Sequence, residues 1–339
     1  MRVTVIGAGA VGGVLAALLD RAGHDVAVVA RGDHAAAIAR EGLGLDGGFG
    51  AWSARVPVTE RVAADTGLVI VAVKANDTAA ALTDHRVPEG CPVLVVQNGL
   101  GGEAVARALL PASPVAVGLV LFAASLIAPG RVTVTGAAPM VVGGDETAVA
   151  ASLAALGPAL PEPVTQSPDI VGAQWTKLVI NQVNALPAIT GLSVQDTVAD
   201  SELRAVLGRG MAETARVGEA LGVGWQPIGP VTAEVIRPLA QPGVAGHDAG
   251  EMLARLLARG MGDVPNPASM LQSIRRGRRT EVDQINGAVV AAGAEAGIAT
   301  PVNAALIALV RTVEAEGAHL SRADTLARLA PALALASRS

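Results

Sequence analysis

The chain has 339 residues, of which 51% are hydrophobic, enough for a sizeable core and, at roughly 150 residues per domain, for two domains. Its formal net charge of −5, from 25 basic and 30 acidic residues, disfavours nucleic acid as a partner. A single cysteine, Cys91, excludes an intrachain disulfide and a thiolate metal cluster and fits a reducing cytoplasm. The absence of tyrosine excludes the short-chain dehydrogenases, which need a tyrosine as proton donor.

The N-terminal segment has the order strand, glycine turn, helix, strand. Val3–Ile6 is a short β-branched run, followed by "GAGAVGG", an apolar helix over Val14–Ala22, and a second strand "DVAVVA" at 25–30. This order within about 30 residues predicts a βαβ unit with a parallel strand pair. The glycines fit a turn better than a signal peptide or a membrane helix, so we expect no membrane association.

Further strands and then helices follow along the chain. The predicted strands are 68–73, 92–97, 115–124, 131–136 and 139–144, which together indicate an open, doubly wound, mostly parallel sheet. Four prolines between residues 158 and 168 suit a boundary between domains of residues 1–165 and 169–335. The second domain is predicted to be all helical, with helices over about 169–186, 200–221, 230–239, 248–259, 266–296 and 301–314.

The first motif with a chemical meaning is GxGxxG, formed by Gly7, Gly9 and Gly12. Gly7 permits a tight turn, Gly9 lets a pyrophosphate approach the backbone, and Gly12 allows close packing of the helix. The N-terminus of that helix presents unpaired N–H groups to a phosphate. The alternative is a glycine-rich turn that binds nothing, but the βαβ context favours a dinucleotide site.

Three polar residues follow predicted strands. The second strand ends at Ala30, where NAD-specific proteins place an acid, and Arg31 follows, which favours NADP because a guanidinium can bind a 2′-phosphate. Lys74 in "VKAND" can face the cofactor, and Asn98 in "QNGLGG" can bond cofactor or substrate. The alternatives are an exposed arginine, a solvated lysine and an Asn-Gly turn without a ligand.

A lysine lies inside the apolar run "WTKLVINQVNALPAITG", residues 175–191. On a continuous helix Gln174, Lys177, Asn181 and Asn184 share one face, because their spacings are three or four residues. Asparagine is a poor helix former, so this stripe favours a polar pocket wall over a solvated face.

The segment 266–290 carries Ser269 at the start of a long predicted helix and Glu281 about three turns later. Spacing alone leaves open whether Glu281 meets Lys177, and an exposed helix with paired charges is the alternative. The five histidines are scattered without obvious carboxylate partners, which weakens a lactate-dehydrogenase-type mechanism.

Taken together, the N-terminal GxGxxG, "VKAND", "QNG", "WTKLVIN" and "SMLQSIRRGRRTEVDQING" resemble the ketopantoate reductase (2-dehydropantoate 2-reductase) family over nearly the whole chain. The resemblance implies an α/β Rossmann domain that binds NADP(H), a helical domain for substrate binding and dimerisation, and an active site in the cleft between them. It implies Lys177 as general acid and Glu281 as a second catalytic residue that supports the substrate, either by anchoring a substrate hydroxyl or by positioning Lys177. The residues implied to bind substrate are Asn98, Asn181, Asn184 and Ser269, and those implied to bind cofactor are Gly7, Gly9, Ala10, Val11, Gly12, Arg31, Lys74, Asn98 and Glu281.

One position departs from the family pattern. Members often place a second asparagine four residues after the first on the lysine helix, whereas Asn184 follows Asn181 by three. On an α-helix that shift rotates a side chain by about 100°.

We therefore expect a cytoplasmic, NADPH-dependent enzyme that reduces a small 2-oxo acid, with ketopantoate reduced to pantoate. Its apolar helical half can support a homodimer. The first alternative is a reductase of another 2-oxo acid or a β-dicarbonyl compound. The second is a non-catalytic NADP-binding sensor, which would not need the proton donor Lys177.

Overall fold

The computed structural model describes residues 1–242, 244–262 and 264–336. The chain divides into two compact units, Met1–Ile170 and Val171–Ser339. Within the described residues, no helix combines the length and the apolar character needed to cross a membrane.

The N-terminal unit is built of strands and five helices. The strands in its described residues are β1 Arg2–Ile6, β2 Asp25–Val29, β3 Leu43–Gly47, β4 Trp52–Ala54, β5 Leu68–Val71, β6 Val93–Val95, β7 Val115–Val120, β8 Ala123–Ala128, β9 Arg131–Gly136, β10 Met140–Gly144 and β11 Val164–Gln166. The helices are α1 Ala10–Arg21, α2 Gly32–Glu41, α3 Thr78–Asp84, α4 Gly102–Leu109 and α5 Glu146–Leu156.

Seven strands form the main sheet in the order β11-β10-β7-β6-β5-β1-β2. All neighbouring pairs are parallel except β7 and β10. Residues in β5 and β7 are buried throughout, as expected of parallel strands covered on both faces. The predicted doubly wound, mostly parallel sheet is confirmed. Its strand order reverses direction at β1 and β5, so the segments that follow these two strands lie where such sheets bind ligands.

A second sheet, in the order β4-β3-β9-β8, was not predicted. The predicted strand 115–124 was wrong, because the chain leaves the main sheet after Val120 and starts β8 in the second sheet at Ala123. Helix α1 packs against this sheet so closely that a Cβ at Gly13 would lie 2.8 Å from a methyl group of Val132. The second sheet therefore buttresses the helix that follows the glycine turn.

The C-terminal unit is helical in its described residues, as predicted. Its helices are α6 Ile170–Asn181, which starts at the last residue of the first unit, α7 Ala185–Thr190, α8 Val194–Ala199, α9 Ser201–Ala220, α10 Ala233–Ile236, α11 Val244–Gly260, α12 Ser269–Arg275, α13 Val282–Ala296, α14 Pro301–Glu316 and α15 Arg322–Ala336.

Two predicted helices were wrong in their continuity. The predicted helix 169–186 is broken by a 3₁₀ turn, Gln182–Asn184, between α6 and α7. The predicted helix 266–296 starts at Ser269 and ends at Arg275, because Gly277 adopts a φ of +62° and its N–H bonds the Ile274 carbonyl 2.8 Å away. Glu281 consequently lies just before α13 rather than three turns along one helix from Ser269.

Candidate active site

The turn between β1 and α1 is closely packed at two of its glycines and open at the third. Gly7 has a φ of +98°, and a Cβ there would lie 2.7 Å from Val73, while a Cβ at Gly12 would lie 2.0 Å from the Gly7 carbonyl oxygen. A Cβ at Gly9 would meet no atom within 4 Å. Side chains are thus excluded at two glycines by packing, whereas the backbone at Gly9 is open to an approaching group.

The first turn of α1 supplies donors to that opening. Gly9 is the N-cap residue, and no side chain caps the helix. The first N–H groups of an α-helix have no partner inside the helix, and the helix dipole favours an anion beside them. Ala10 and Val11 are the first two residues of α1. This turn fits the pyrophosphate of a dinucleotide.

Arg31, Lys74 and Asn98 all follow strands of the main sheet. Arg31 is the N-cap of α2, its side chain is 72% exposed, and its guanidinium lies 3.6 Å from the Asp84 carboxylate. Lys74 follows β5, and Asn98 follows β6. The Gln97 amide donates to the Val73 carbonyl over 2.9 Å, which ties the segments carrying Lys74 and Asn98 together.

In the C-terminal unit, Lys177 lies on α6 and is only 8% exposed. Burial lowers the pKa of Lys177 to about 8, and the electrostatic attraction of the Glu281 carboxylate limits that fall. Glu281 and Lys177, about 100 residues apart in sequence, therefore interact electrostatically, which their spacing alone could not predict. An ammonium group with a pKa near neutrality can both donate and recover a proton.

The segment that holds Glu281 is fixed by its neighbours. The N–H of Thr280 donates to the Glu314 carboxylate over 2.6 Å, and the Thr280 hydroxyl accepts from the N–H of Val282 over 3.2 Å. The first bond joins Thr280 to α14, and the second joins it to Val282, the first residue of α13.

The 3₁₀ turn after α6 changes the direction of Asn184. A 3₁₀ helix advances about 120° per residue, so side chains three residues apart eclipse one another. Asn184 therefore lies closer to the face of Asn181 than it would on a continuous α-helix. Asn184 is 7% exposed, and its amide donates to the Asn181 carbonyl over 2.9 Å.

Asn184 also binds Ser269. Its side-chain oxygen accepts from the Ser269 N–H over 3.1 Å and from the Ser269 hydroxyl over 3.2 Å. Ala268, just before Ser269, has a φ of 57° and a ψ of 160°, a conformation that residues other than glycine rarely adopt. The backbone at this point is strained, and the contact with Asn184 holds Ser269 in place.

Asn181 belongs to the same polar stripe as Lys177 and Asn184. Its side-chain nitrogen is buried and has no hydrogen-bond partner among the described residues. An unpaired buried donor destabilises a protein by about 1–3 kcal/mol, so such a group is expected to serve a bound acceptor. Because Lys177 and Asn184 are buried, the solvated-face alternative for this stripe does not hold.

A buried polar network joins Gln182, the residue after Asn181, to helices α9, α13 and α14. The two oxygens of the fully buried Glu213 accept from the N–H of Val302 at 2.8 Å, and from the N–H and side-chain amide of Asn303 at 2.9 and 2.8 Å. Asn286 donates to Asn303 over 3.0 Å and to Gln182, in the 3₁₀ turn, over 2.9 Å. Burial raises the pKa of Glu213, while its N–H partners act in the opposite direction.

Sequence reasoning missed this network. Glu213 was detectable only as a lone acid on an otherwise buried stretch of helix α9, and Asn286 and Asn303 carry no spacing signal. Their partners lie 17 to 104 residues away, beyond the reach of helix periodicity.

The chain is similar to known proteins over most of its length. Residues 3–146 match the family described as Ketopantoate reductase PanE/ApbA, and residues 169–314 match Ketopantoate reductase PanE/ApbA C terminal. The 2-dehydropantoate 2-reductase of Halobacterium salinarum is 33% identical, over 94% of this chain and 100% of that protein. The enzyme of the same name from Archaeoglobus fulgidus is 31% identical, over 92% of this chain and 98% of that protein.

Solved structures agree with the fold. The PanE/ApbA family ketopantoate reductase from Ralstonia eutropha is 30% identical, with a TM-score of 0.78 over 94% of this chain and 100% of that chain. D-mandelate dehydrogenase with NADH and anilino(oxo)acetate has a TM-score of 0.77 over 94% of this chain and 99% of that chain, at 23% identity. At that identity the second likeness concerns the fold alone.

Proposed function

The chain belongs to the PanE/ApbA ketopantoate reductase family, and from that premise we propose that it reduces 2-dehydropantoate to pantoate with NADPH, with Lys177 as general acid. The observation that carries the proposal is the buried Lys177, whose pKa is lowered to about 8 beside Glu281. Burial disfavours the charged form of a lysine and so lowers its pKa. A pKa of about 8 suits proton donation near neutral pH.

The N-terminal unit supplies the residues for the cofactor. The turn of Gly7, Gly9 and Gly12, with the first N–H groups of α1 at Ala10 and Val11, would hold the pyrophosphate. Arg31 would bind the 2′-phosphate, because its guanidinium is exposed and no acid occupies position 30. Lys74 and Asn98 follow the neighbouring strands at the same edge of the sheet and would contact the rest of the dinucleotide. When bound, NADPH supplies the hydride for the ketone carbon.

The C-terminal unit supplies the proton. Lys177 donates a hydrogen bond to the ketone oxygen and then transfers a proton to it as negative charge develops there. Glu281 keeps Lys177 more protonated than burial alone would allow. After turnover the neutral amine regains its proton from solvent, so one hydride and one proton together convert the ketone to the hydroxyl of the product.

Two polar groups orient the substrate. The unpartnered side-chain nitrogen of Asn181 offers a donor to a substrate oxygen. The Ser269 hydroxyl, held by Asn184, would bind the carboxylate or a hydroxyl group. Neutral groups suit this role, because they bind an anion without adding a further charge to the pair of Lys177 and Glu281.

The test is to follow oxidation of NADPH with 2-dehydropantoate and with a panel of other 2-oxo acids, and to repeat the assays with NADH. The proposal predicts the highest kcat/KM for 2-dehydropantoate with NADPH. A higher value for another 2-oxo acid or a β-dicarbonyl compound would assign the chain to that substrate. Tight NADPH binding without oxidation by any of them would instead indicate a sensor.

A further inference from the structure

His34 joins the glycine turn to the second sheet. It lies on α2, where one ring nitrogen, Nε2, is 2.6 Å from the carbonyl oxygen of Ala8. The other, Nδ1, is 2.9 Å from the backbone nitrogen of Gly130, in the turn between β8 and β9. These partners are 26 and 96 residues away from His34 in sequence.

The two contacts distinguish the two tautomers of the neutral ring. A backbone N–H can only donate, so Nδ1 of His34 must carry a lone pair to accept from Gly130. The proton of the neutral ring then lies on Nε2, which donates it to the Ala8 carbonyl. Both bonds form only in this one neutral tautomer, because a protonated ring would turn an N–H toward the N–H of Gly130.

The far end of this link is held firmly. Gly130 has a φ of +74°, and a Cβ there would lie 3.3 Å from Ala37 on α2, so a close approach of the backbone is built into the turn. Its carbonyl accepts from the N–H of Gly44 on β3 over 2.8 Å. Both polar backbone groups of Gly130 are therefore paired, which makes the turn a fixed support for the ring.

The near end controls a donor of the phosphate-binding turn. The Ala8 carbonyl and the Gly9 N–H belong to one peptide plane, and in a trans peptide they point in opposite directions. A hydrogen bond that holds the Ala8 oxygen therefore also fixes the direction of the Gly9 N–H. Gly9 is the residue whose backbone is open to an approaching group.

We propose that His34 is a positioning residue for the cofactor: it holds the Ala8 carbonyl so that the Gly9 N–H points at the pyrophosphate. This inference rests on the proposed function, since it requires a dinucleotide at the turn. It assigns His34 a role in affinity for NADPH and none in proton transfer to the ketone.

Three substitutions separate positioning from simple packing. In His34→Ala both bonds are lost, and we expect the Kd for NADPH to rise about tenfold, the scale of one well-made hydrogen bond. His34→Gln retains an amide donor near the position of Nε2 and is expected to recover part of the affinity. His34→Asn is too short to reach Ala8 and should bind as weakly as the alanine variant. The kcat at saturating NADPH should stay near that of the wild type in all three.

Arg21→Ala is the matched control. Arg21 is the last residue of α1, and its guanidinium donates to the Phe49 carbonyl over 2.8 Å. Like His34, it binds a backbone oxygen through its side chain, but it does so at the end of α1 that lies away from the glycine turn. Its loss should lower the melting temperature and leave the Kd for NADPH unchanged.

The measurements are the Kd for NADPH by nucleotide fluorescence and the tautomer of His34 by nitrogen NMR of the wild-type chain. Equal Kd values in the wild type and all three His34 variants, with weaker binding in Arg31→Ala, would overturn the role of His34 alone. A wild type that binds neither NADPH nor NADH would overturn the proposed function itself. A proton on Nδ1 of His34 would contradict the geometry independently of any cofactor and of variant folding.

Discussion

In the N-terminal unit the candidate binding groups are mostly backbone: three glycines and the first N–H groups of α1. In the C-terminal unit they are side chains, namely Lys177, Asn181, Asn184, Ser269 and Glu281, carried by or next to α6, α7, α12 and α13. A backbone site needs the right local conformation, which glycine and packing provide. A side-chain site needs several helices held in register, and here the chain of Glu213, Asn303, Asn286 and Gln182 provides this.

Substitutions in the two units are therefore expected to have different effects. Changes near the glycine turn are expected to alter affinity for the cofactor, because the turn is proposed to hold the pyrophosphate and not the reacting atoms. Changes in the helical unit are expected to alter the chemical step where they affect Lys177 or Glu281, and the stability of the unit where they affect the buried network that contains Glu213.

The sharpest contrast comes from the two lysines of the chain, one in each unit. Lys177→Ala should lower kcat by at least about 10²-fold, the scale of lost general acid catalysis, while the Kd for NADPH stays unchanged. Lys74→Ala should raise the KM for NADPH and leave kcat nearly intact. Steady-state kinetics and nucleotide fluorescence check both. Near-normal kcat in Lys177→Ala would remove the basis for the division of roles.

The buried network should show the next largest effect. Glu213→Gln places an amide where an oxygen accepts from the N–H of Val302 or Asn303, so at least one buried donor loses its partner. We expect a loss of about 2 kcal/mol in the free energy of unfolding, measured by denaturant titration. Glu202→Gln is the control, since Glu202 is exposed at the start of the same helix and should change stability by less than about 1 kcal/mol. Equal effects would mean that the network contributes no more than a surface charge.

Arg31 is one of three side chains, with Lys74 and Asn98, proposed to bind the cofactor in the N-terminal unit, and it is the one proposed to set specificity for NADPH. Arg31→Ala should raise the KM for NADPH about tenfold and leave that for NADH nearly unchanged, since only NADPH carries the 2′-phosphate. Arg40→Ala, on the exposed face of the same helix α2, should change neither value. A parallel rise for both cofactors would show that Arg31 supports the fold and does not read the phosphate.

The smallest effect concerns the strained residue before Ser269. Ala268→Gly relieves the unfavourable φ of 57°, and although glycine gains entropy in the unfolded chain, we expect the free energy of unfolding to rise by about 0.5–1 kcal/mol. The same change at Ala296, at the end of α13, should lower it by about 1 kcal/mol. If both variants lose stability equally, Ala268 is not strained.

The two units also differ in how far the sequence predicts them. The glycine turn, Arg31 and the βαβ unit rest on local patterns, and the main sheet follows from its apolar strands. In the helical unit, periodicity predicted one helix through Asn184 and another through Glu281, and both are broken. The glycine of "RRGRR", Gly277, was a usable signal for the second break. The 3₁₀ turn at Gln182 had none, because its amide is held by Asn286 from 104 residues away.

The second sheet shows the same limit. Pro129 and Gly130 mark a hairpin that could have been recognised between the strands around them. Strand β3, with the sequence "LGLDG", alternates between buried leucines and half-buried residues, but it contains only two apolar side chains and pairs with β9 almost 90 residues later. Likewise, His34 reads as one scattered histidine until the fold brings Ala8 and Gly130 to its two ring nitrogens.

The pairing of Lys177 with Glu281 is tested most directly by the pH dependence of kcat in the wild type and in Glu281→Gln. The donor must be protonated, and its pKa is about 8, so kcat should fall as the pH rises through about 8. Removing the carboxylate removes an attraction that raises this pKa, so the falling limb should move to lower pH in the variant. A limb that stays in place, moves to higher pH or is missing from the wild-type profile would contradict Lys177 as the general acid.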